Sequence, residues 1–274
     1  MMMKLFKQTL LAAAIACSTA SAWADDLKIA AAADLKFALE EIKTAYVAAN
    51  PADKVDITFG SSGKLSTQVE QGAPFDLFFS ADIKYPKQLA AAKQAASEVK
   101  PYAVGRIVLW SNTHDASKLT LENLTEDKFK HIAIADPSHA PYGKRAEEAL
   151  TASKLWDTVK PKLVYGENIS QTAQFVESGN ADIGIIALSL ALNPELSKQG
   201  SYYLIEDKLH EPLEQAFIVT AHGKDNAAAQ RFADYMQAPE ARQMMVKYGF
   251  VLPGEGADTA GKPATDKPAT TSAQ

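Results

Sequence analysis

Across residues 27–248, short apolar runs alternate with amphipathic stretches. That alternation restricts the chain to an α/β fold, in which helices cover the faces of largely buried sheets. Residues 27–32 (LKIAAA) read as a buried strand, and Leu35, Ala38, Leu39, Ile42 and Tyr46 then recur at helical spacing. Residues 55–59 alternate like a strand, Leu65 and Val69 mark a helix closed by Gly72, and residues 76–80 form a third strand. A helix is expected over residues 90–96. Further strands are expected at 107–110, 131–135, 162–165, 183–188 and 216–220, and further helices at 143–152, 170–177, 227–237 and 239–248. No internal repeat is present.

The first 24 residues read as a secretory leader. Lys4 and Lys7 open it, residues 10–17 form a short apolar run, and Ala22-Trp23-Ala24 supplies a small-x-small cleavage pattern. The run is too short for a stop-transfer helix. Acylation at Cys17 is the rival reading, and Ala14, three positions before it, fits that reading poorly. Cys17 is the only cysteine, so the secreted chain has none and must stand on its hydrophobic core rather than on disulfides. About 250 residues suffice for one large or two smaller domains. Losing Lys4 and Lys7 takes the formal charge of −5 two units lower. A chain so acidic lacks the basic field that a nucleic-acid partner requires. No later stretch is long and charge-free enough to span a membrane, so the protein is expected to be soluble outside the inner membrane. Residues 254–274 hold no large apolar side chain and are expected to form a disordered tail.

In open α/β sheets, ligands bind beyond the carboxyl ends of strands, where helix N-termini point. Four such junctions share a character: residues 31–34 (AAAD), 60–63 (GSSG), 136–143 (DPSHAPYG) and 166–170 (GENIS). Each places small or hydroxyl residues and free backbone N–H groups at a helix start, and none has an arginine at its centre. The first N–H groups of a helix lack internal partners, and the helix dipole favours negative charge there. A fully ionised tetrahedral oxyanion needs only donors, so neutral dipoles suffice to bind it. Each residue also has an ordinary structural role available. Ser61 and Ser62 are N-caps in most such turns. Asp34 is expected to cap its own helix, because a carboxylate facing a dianion would repel it, while its backbone N–H points to the ligand. Tyr142 reads equally as a surface aromatic, and Ile169 alone as core. The four junctions together point to an anion site.

Enzymatic signatures are weak. GSSG is not the G-x-S-x-G elbow, and the five histidines, at 114, 131, 139, 210 and 222, show no metal-ligand spacing. There is no P-loop and no G-x-G-x-x-G. An envelope hydrolase acting through Ser62 is the alternative from another functional class. It requires a base within reach of that hydroxyl.

Four segments, AAAADLKFALEEI (30–42), GSSGKLSTQVEQGAPFDLFFSAD (60–82), IAIADPSHAPYGKRAEEAL (132–150) and residues 167–189, ending in SGNADIGIIALS, resemble the periplasmic molybdate-binding proteins of ABC importers. The resemblance spans residues 25–253. It implies a two-lobed periplasmic binding protein fold, each lobe a mixed sheet flanked by helices, with the ligand in the cleft between. Lobe I would comprise residues 25–104 plus 216–253, and lobe II residues 105–215. Carried over by position, the ligand-binding residues are Ala33, Asp34 and Ser62 from the first lobe and Tyr142 and Ile169 from the second. Ser62 and Tyr142 would donate hydroxyl hydrogen bonds, Ala33 and Ile169 only backbone N–H groups. Relatives often carry Ser or Thr with Asn where this chain has Ala33-Asp34, and one branch has a tyrosine near Ala187. The resemblance further implies molybdate or tungstate as ligand, an inner-membrane ABC permease as partner, a monomer in the periplasm, no cofactor and no direct metal-ion ligand. Sulfate or phosphate is the alternative cargo, phosphate being able to bring a proton to an acceptor such as Asp34.

Overall fold

The structure is a computed structural model describing residues 26–254. The expected leader and all but the first residue of the expected tail lie outside the described residues. β1 (Asp26–Ala32) runs through a 3-10 turn at Ala33–Leu35 into α1 (Lys36–Ala49). β2 (Lys54–Gly60), α2 (Ser62–Glu70), β3 (Leu77–Ser80), α3 (Lys84–Ala91) and β4 (Lys100–Gly105) follow. The chain then crosses to a second sheet through β5 (Ile107–Ser111), β6 (Ile132–Ala135), α4 (Pro141–Ala152), α5 (Trp156–Val159) and β7 (Leu163–Gly166). That half continues with α6 (Ile169–Glu177), β8 (Ile183–Ala187), α7 (Leu188–Ala191), α8 (Leu196–Gln199) and β9 (Ser201–Leu204). β10 (Leu213–Val219) returns to the first sheet, and α9 (Ala227–Tyr235) and α10 (Pro239–Lys247) close the chain.

The two sheets share one plan. Their strand orders are β2-β1-β3-β10-β4 and β7-β6-β8-β5-β9. In the first, β1 pairs parallel with β2 and β3, while β10 runs antiparallel between β3 and β4. In the second, β6 pairs parallel with β7 and β8, and β5 runs antiparallel between β8 and β9. This is the two-lobed α/β architecture expected from the resemblance.

Strand alternation explains how each sheet is covered on both faces. Leu27, Ile29, Leu77, Phe79, Phe217 and Val219 point to one side of the first sheet, where α1, α9 and α10 pack. Ala30, Phe78 and Ile218 point to the other, against Leu65, Val69 and Leu89 of α2 and α3. Each fully buried Leu or Phe contributes about 1.5–3 kcal/mol relative to exposure. Phe79 also stacks on Phe217, with ring centroids 4.8 Å apart.

Three local expectations change. The helix expected at 90–96 lies earlier, at Lys84–Ala91, with Pro86 in its first turn, where no N–H is needed. Lys93 turns left-handed at φ 60°, and Ala96 N–H donates to the Val219 carbonyl at 2.8 Å. Backbone pairing with the sheet thus overrides the high helix propensity of the alanines. β4 has no counterpart among the strands expected from sequence; it contains Pro101 and lies at the sheet edge, where proline is tolerated. β9 is likewise an unassigned edge strand. Among the described residues no helix is long and apolar enough to cross a membrane.

Candidate functional site

Parallel pairing sets the junctions side by side. Ala32 at the end of β1 is in register with Gly60 at the end of β2, and Ala135 of β6 with Gly166 of β7. The carboxyl ends of both sheets meet at one cleft. Its walls are Ala32, Ala33, Asp34, Gly60, Ser61, Ser62 and Ala81 from the first lobe and Ala140, Pro141, Tyr142 and Ile169 from the second. All five residues singled out in the sequence, Ala33, Asp34, Ser62, Tyr142 and Ile169, therefore line one hollow. Its free cavity volume is only about 10 Å³. Clefts for drug-sized molecules enclose roughly 300–1,000 Å³, so this one has room only for a small guest. No lysine or arginine is among its lining residues.

Ser62 opens α2 and is fully buried. Its Oγ accepts the Ala81 N–H at 3.0 Å, which leaves the hydroxyl proton to donate. Ser61 occupies the N-cap position, but its side chain makes no cap bond; its Oγ lies 2.9 Å from His139 Nδ1 across the cleft. The capping role available to this serine pair is thus unused by the N-cap side chain. On α6, Asn168 is a true cap, its Oδ1 accepting the N–H groups of Ser170 and Gln171 at 3.0 Å each. The cap does not engage the N–H of Ile169, the first residue of that helix. Tyr142 follows Pro141 at the start of α4 and is buried, so the surface-aromatic alternative does not hold.

Asp34 departs from expectation. It caps neither the 3-10 turn nor α1, because the turn places Leu35, not Asp34, at the N-cap position of α1. Its carboxylate is instead buried between the lobes. Oδ2 accepts the Tyr142 hydroxyl at 2.9 Å and Gln215 Nε2 at 2.8 Å, while Oδ1 is buried without a hydrogen-bond partner. Burial lifts its pKa to about 6, against the opposing effect of the Gln215 and Tyr142 hydrogen bonds and of the nearby Asp34 and Leu35 backbone N–H groups. Burial, with the nearby Asp34 charge, holds the Tyr142 phenol well above its ordinary value. Tyr102, raised by the same two causes, donates to Gln215 Oε1 at 2.6 Å.

Other contacts hold the lobes together. The Gly63 N–H donates to the His139 carbonyl at 3.0 Å. Ser170 and Ser189 of the second lobe donate to the Ala33 and Asp34 carbonyls, at 2.8 and 2.7 Å. Lys64 pairs with Glu167 at the rim. A Cβ on Gly63 would lie 2.7 Å from the His139 oxygen, so this close approach requires glycine. Sequence reasoning missed Gln215 and Ser189, and held Ser170 only as the last residue of the 166–170 junction. Gln215 gives little signal, since it follows the exposed Glu214 at the edge of the apolar run 216–219, yet it is fully buried.

Comparison with known proteins places this architecture. The model of the bacterial extracellular solute-binding proteins matches residues 27–251. The molybdate-binding protein ModA of Azotobacter vinelandii is 34% identical over 87% of this chain and 93% of its own length. The ModA of Rhodobacter capsulatus is 37% identical over 72% of this chain and 77% of its own. The solved structure of the Azotobacter vinelandii periplasmic molybdate-binding protein superposes with a TM-score of 0.78 at 31% identity, covering 83% of this chain and 99% of that one. The chain belongs to the family of bacterial extracellular solute-binding proteins.

Proposed function

We propose that this protein captures molybdate, or tungstate, between its lobes in the periplasm and delivers it, as a monomer, to an inner-membrane ABC permease. One observation carries the reading. Hydroxyls and helix N-termini from both lobes converge on a single small hollow with no lysine or arginine in its lining. Such a donor set suits an oxyanion that has no proton of its own, and relatives named for molybdate binding align across most of the chain. In this reading Ser62 supplies a hydroxyl, Tyr142 turns its hydroxyl from Asp34 Oδ2 to the anion, Ala33 and Ile169 supply backbone N–H groups, and Asp34 a carboxyl group. One lobe holds the sheet of β1–β4 and β10, so the division falls after Gly105 and before Leu213 rather than at 104/105 and 215/216, and closure on the lobe of β5–β9 brings together donors that neither has alone. The role is binding rather than catalysis. The base nearest the serine turn, His139, contacts Ser61 rather than Ser62. A nucleic-acid partner has no basic field to bind.

A thermal-shift series with molybdate, tungstate, sulfate and phosphate tests the reading, since a ligand far above its Kd raises the melting point by mass action. Molybdate and tungstate are expected to stabilise the protein, with at least roughly tenfold tighter binding than sulfate, or about 1.4 kcal/mol. A shift with phosphate alone would move the assignment to a protonated oxyanion.

A further inference from the structure

A dianion and an ionised Asp34 are poorly matched occupants of one closed cleft. Both only accept hydrogen bonds, and like charges repel strongly where water is excluded. Asp34 is 1% exposed and lines the hollow together with Ser62, Tyr142 and Ile169. Its Oδ2 is saturated by Tyr142 and Gln215, while the equally buried Oδ1 has no partner. A proton on Oδ1 removes the like charge and turns the unpartnered acceptor into a donor.

Among the described residues no cation is seen to act on Asp34, and Arg145 of α4 pairs with Asp82 and Glu148 instead. Asp34 is shifted by burial and hydrogen bonds, with no opposite charge among the causes. The titratable groups that face it are the phenols of Tyr142, from α4, and Tyr102, from β4 by way of Gln215. Lys36 of α1 and Glu177 of α6 line a different hollow. On β2, Lys54 pairs with Asp26 at the far end of the strand. α7 carries no titratable side chain. Lys64 pairs with Glu167, Arg106 with Asp207, and Lys100 of β4 with Asp234. His139 lies against Ser61, Asp136 and Glu167.

We propose that this cleft takes an oxyanion together with one proton, which Asp34 acquires from solvent as the dianion binds and then donates to it through Oδ1. The inference rests on the anion-binding reading above and makes Asp34 its specificity-determining residue. The balance is one dianion, one carboxylate and one proton in, and a neutral carboxyl group hydrogen-bonded to the dianion out. An anion that carries its own proton, such as hydrogen phosphate, would meet the same count without taking one from solvent. The carboxyl already sits near pH 6 before an anion is added, so protonation at neutral pH is within reach.

Calorimetric titration with sodium molybdate at pH 7.5, in two buffers of different ionisation enthalpy, counts the protons taken up. Uptake near one per anion, with Kd rising about tenfold per pH unit between 7 and 8, is the expected result. Tight molybdate binding with no proton uptake overturns the inference and leaves the function standing. No molybdate binding at either pH 6 or pH 8 overturns both. Asp34→Asn, a neutral mimic of the protonated acid, is expected to lose the uptake and the pH slope, and to bind more tightly than wild type at pH 8. Retention of one-proton uptake in that variant would also overturn the assignment to Asp34. The wild-type titrations decide the matter even if the variant fails to fold.

Discussion

The two lobes each follow a central parallel strand with an aspartate, and the two aspartates meet opposite fates. Asp34 comes just after β1, and Asp136 directly after β6. Asp136 stays partly exposed, its Oδ1 accepting both the N–H and the hydroxyl of Ser138 at 2.9 and 2.7 Å, and these bonds hold its pKa below the ordinary value. Asp34 has no adjacent serine. The 3-10 turn carries its side chain into the interface, where one oxygen is shared by two donors and the other has none. The same residue type at equivalent places in one topology is thus a satisfied turn carboxylate in one lobe and a buried, proton-attracting group in the other. Local donors and burial, not strand position, decide the difference.

Neutralising each aspartate gives the largest contrast. The folded-state pKa of Asp34 lies above its unfolded value, rising from 3.8 to about 6. Its contribution is therefore fully present below pH 3.8 and lost as pH rises through 6, where ionisation destabilises the fold by up to about 3 kcal/mol. Asp34→Asn should raise the unfolding free energy at pH 7.5 by up to that amount and change it little at pH 4. Asp136→Asn should cost less than about 1 kcal/mol at pH 7.5, in the opposite direction, because its shift is downward and the group is partly solvated. Denaturant melts at the two pH values check both. Equal responses of the two variants would erase the contrast.

A smaller effect is expected at Ser62, whose hydroxyl has two duties. Ser62→Ala leaves the buried Ala81 N–H unpaired and removes one donor to a charged ligand. Stability should fall by about 1–3 kcal/mol, and molybdate binding should weaken by about 1.5–3 kcal/mol. A lower melting point with unchanged affinity would reduce Ser62 to a structural role.

Much of this was legible beforehand. Alternating apolar runs identified β1, β3, β6 and β8, because strands buried on both faces leave near-continuous apolar sequence. The small-residue junctions after β1, β2, β6 and β7 were visible too, and parallel register brings them to one cleft. The two-lobed arrangement came from resemblance rather than from spacing. Less legible were features set by tertiary partners. Asp34 looked like a cap because whether it caps depends on the backbone of the following two residues. Gln215 acquires meaning only when β10 lies beside β4 and meets Asp34. The alanine-rich segment after Leu89 reads as helix until its backbone is seen to pair with β10.

Diffraction from a crystal grown with molybdate, phased on the anomalous signal of the metal, tests the central claim most directly. One anion peak is expected between the lobes, within hydrogen-bond distance of Ser62 Oγ, the Tyr142 hydroxyl and the N–H groups of Ala33 and Ile169. A peak outside that hollow, or an anion held by lysine or arginine side chains, would contradict the account.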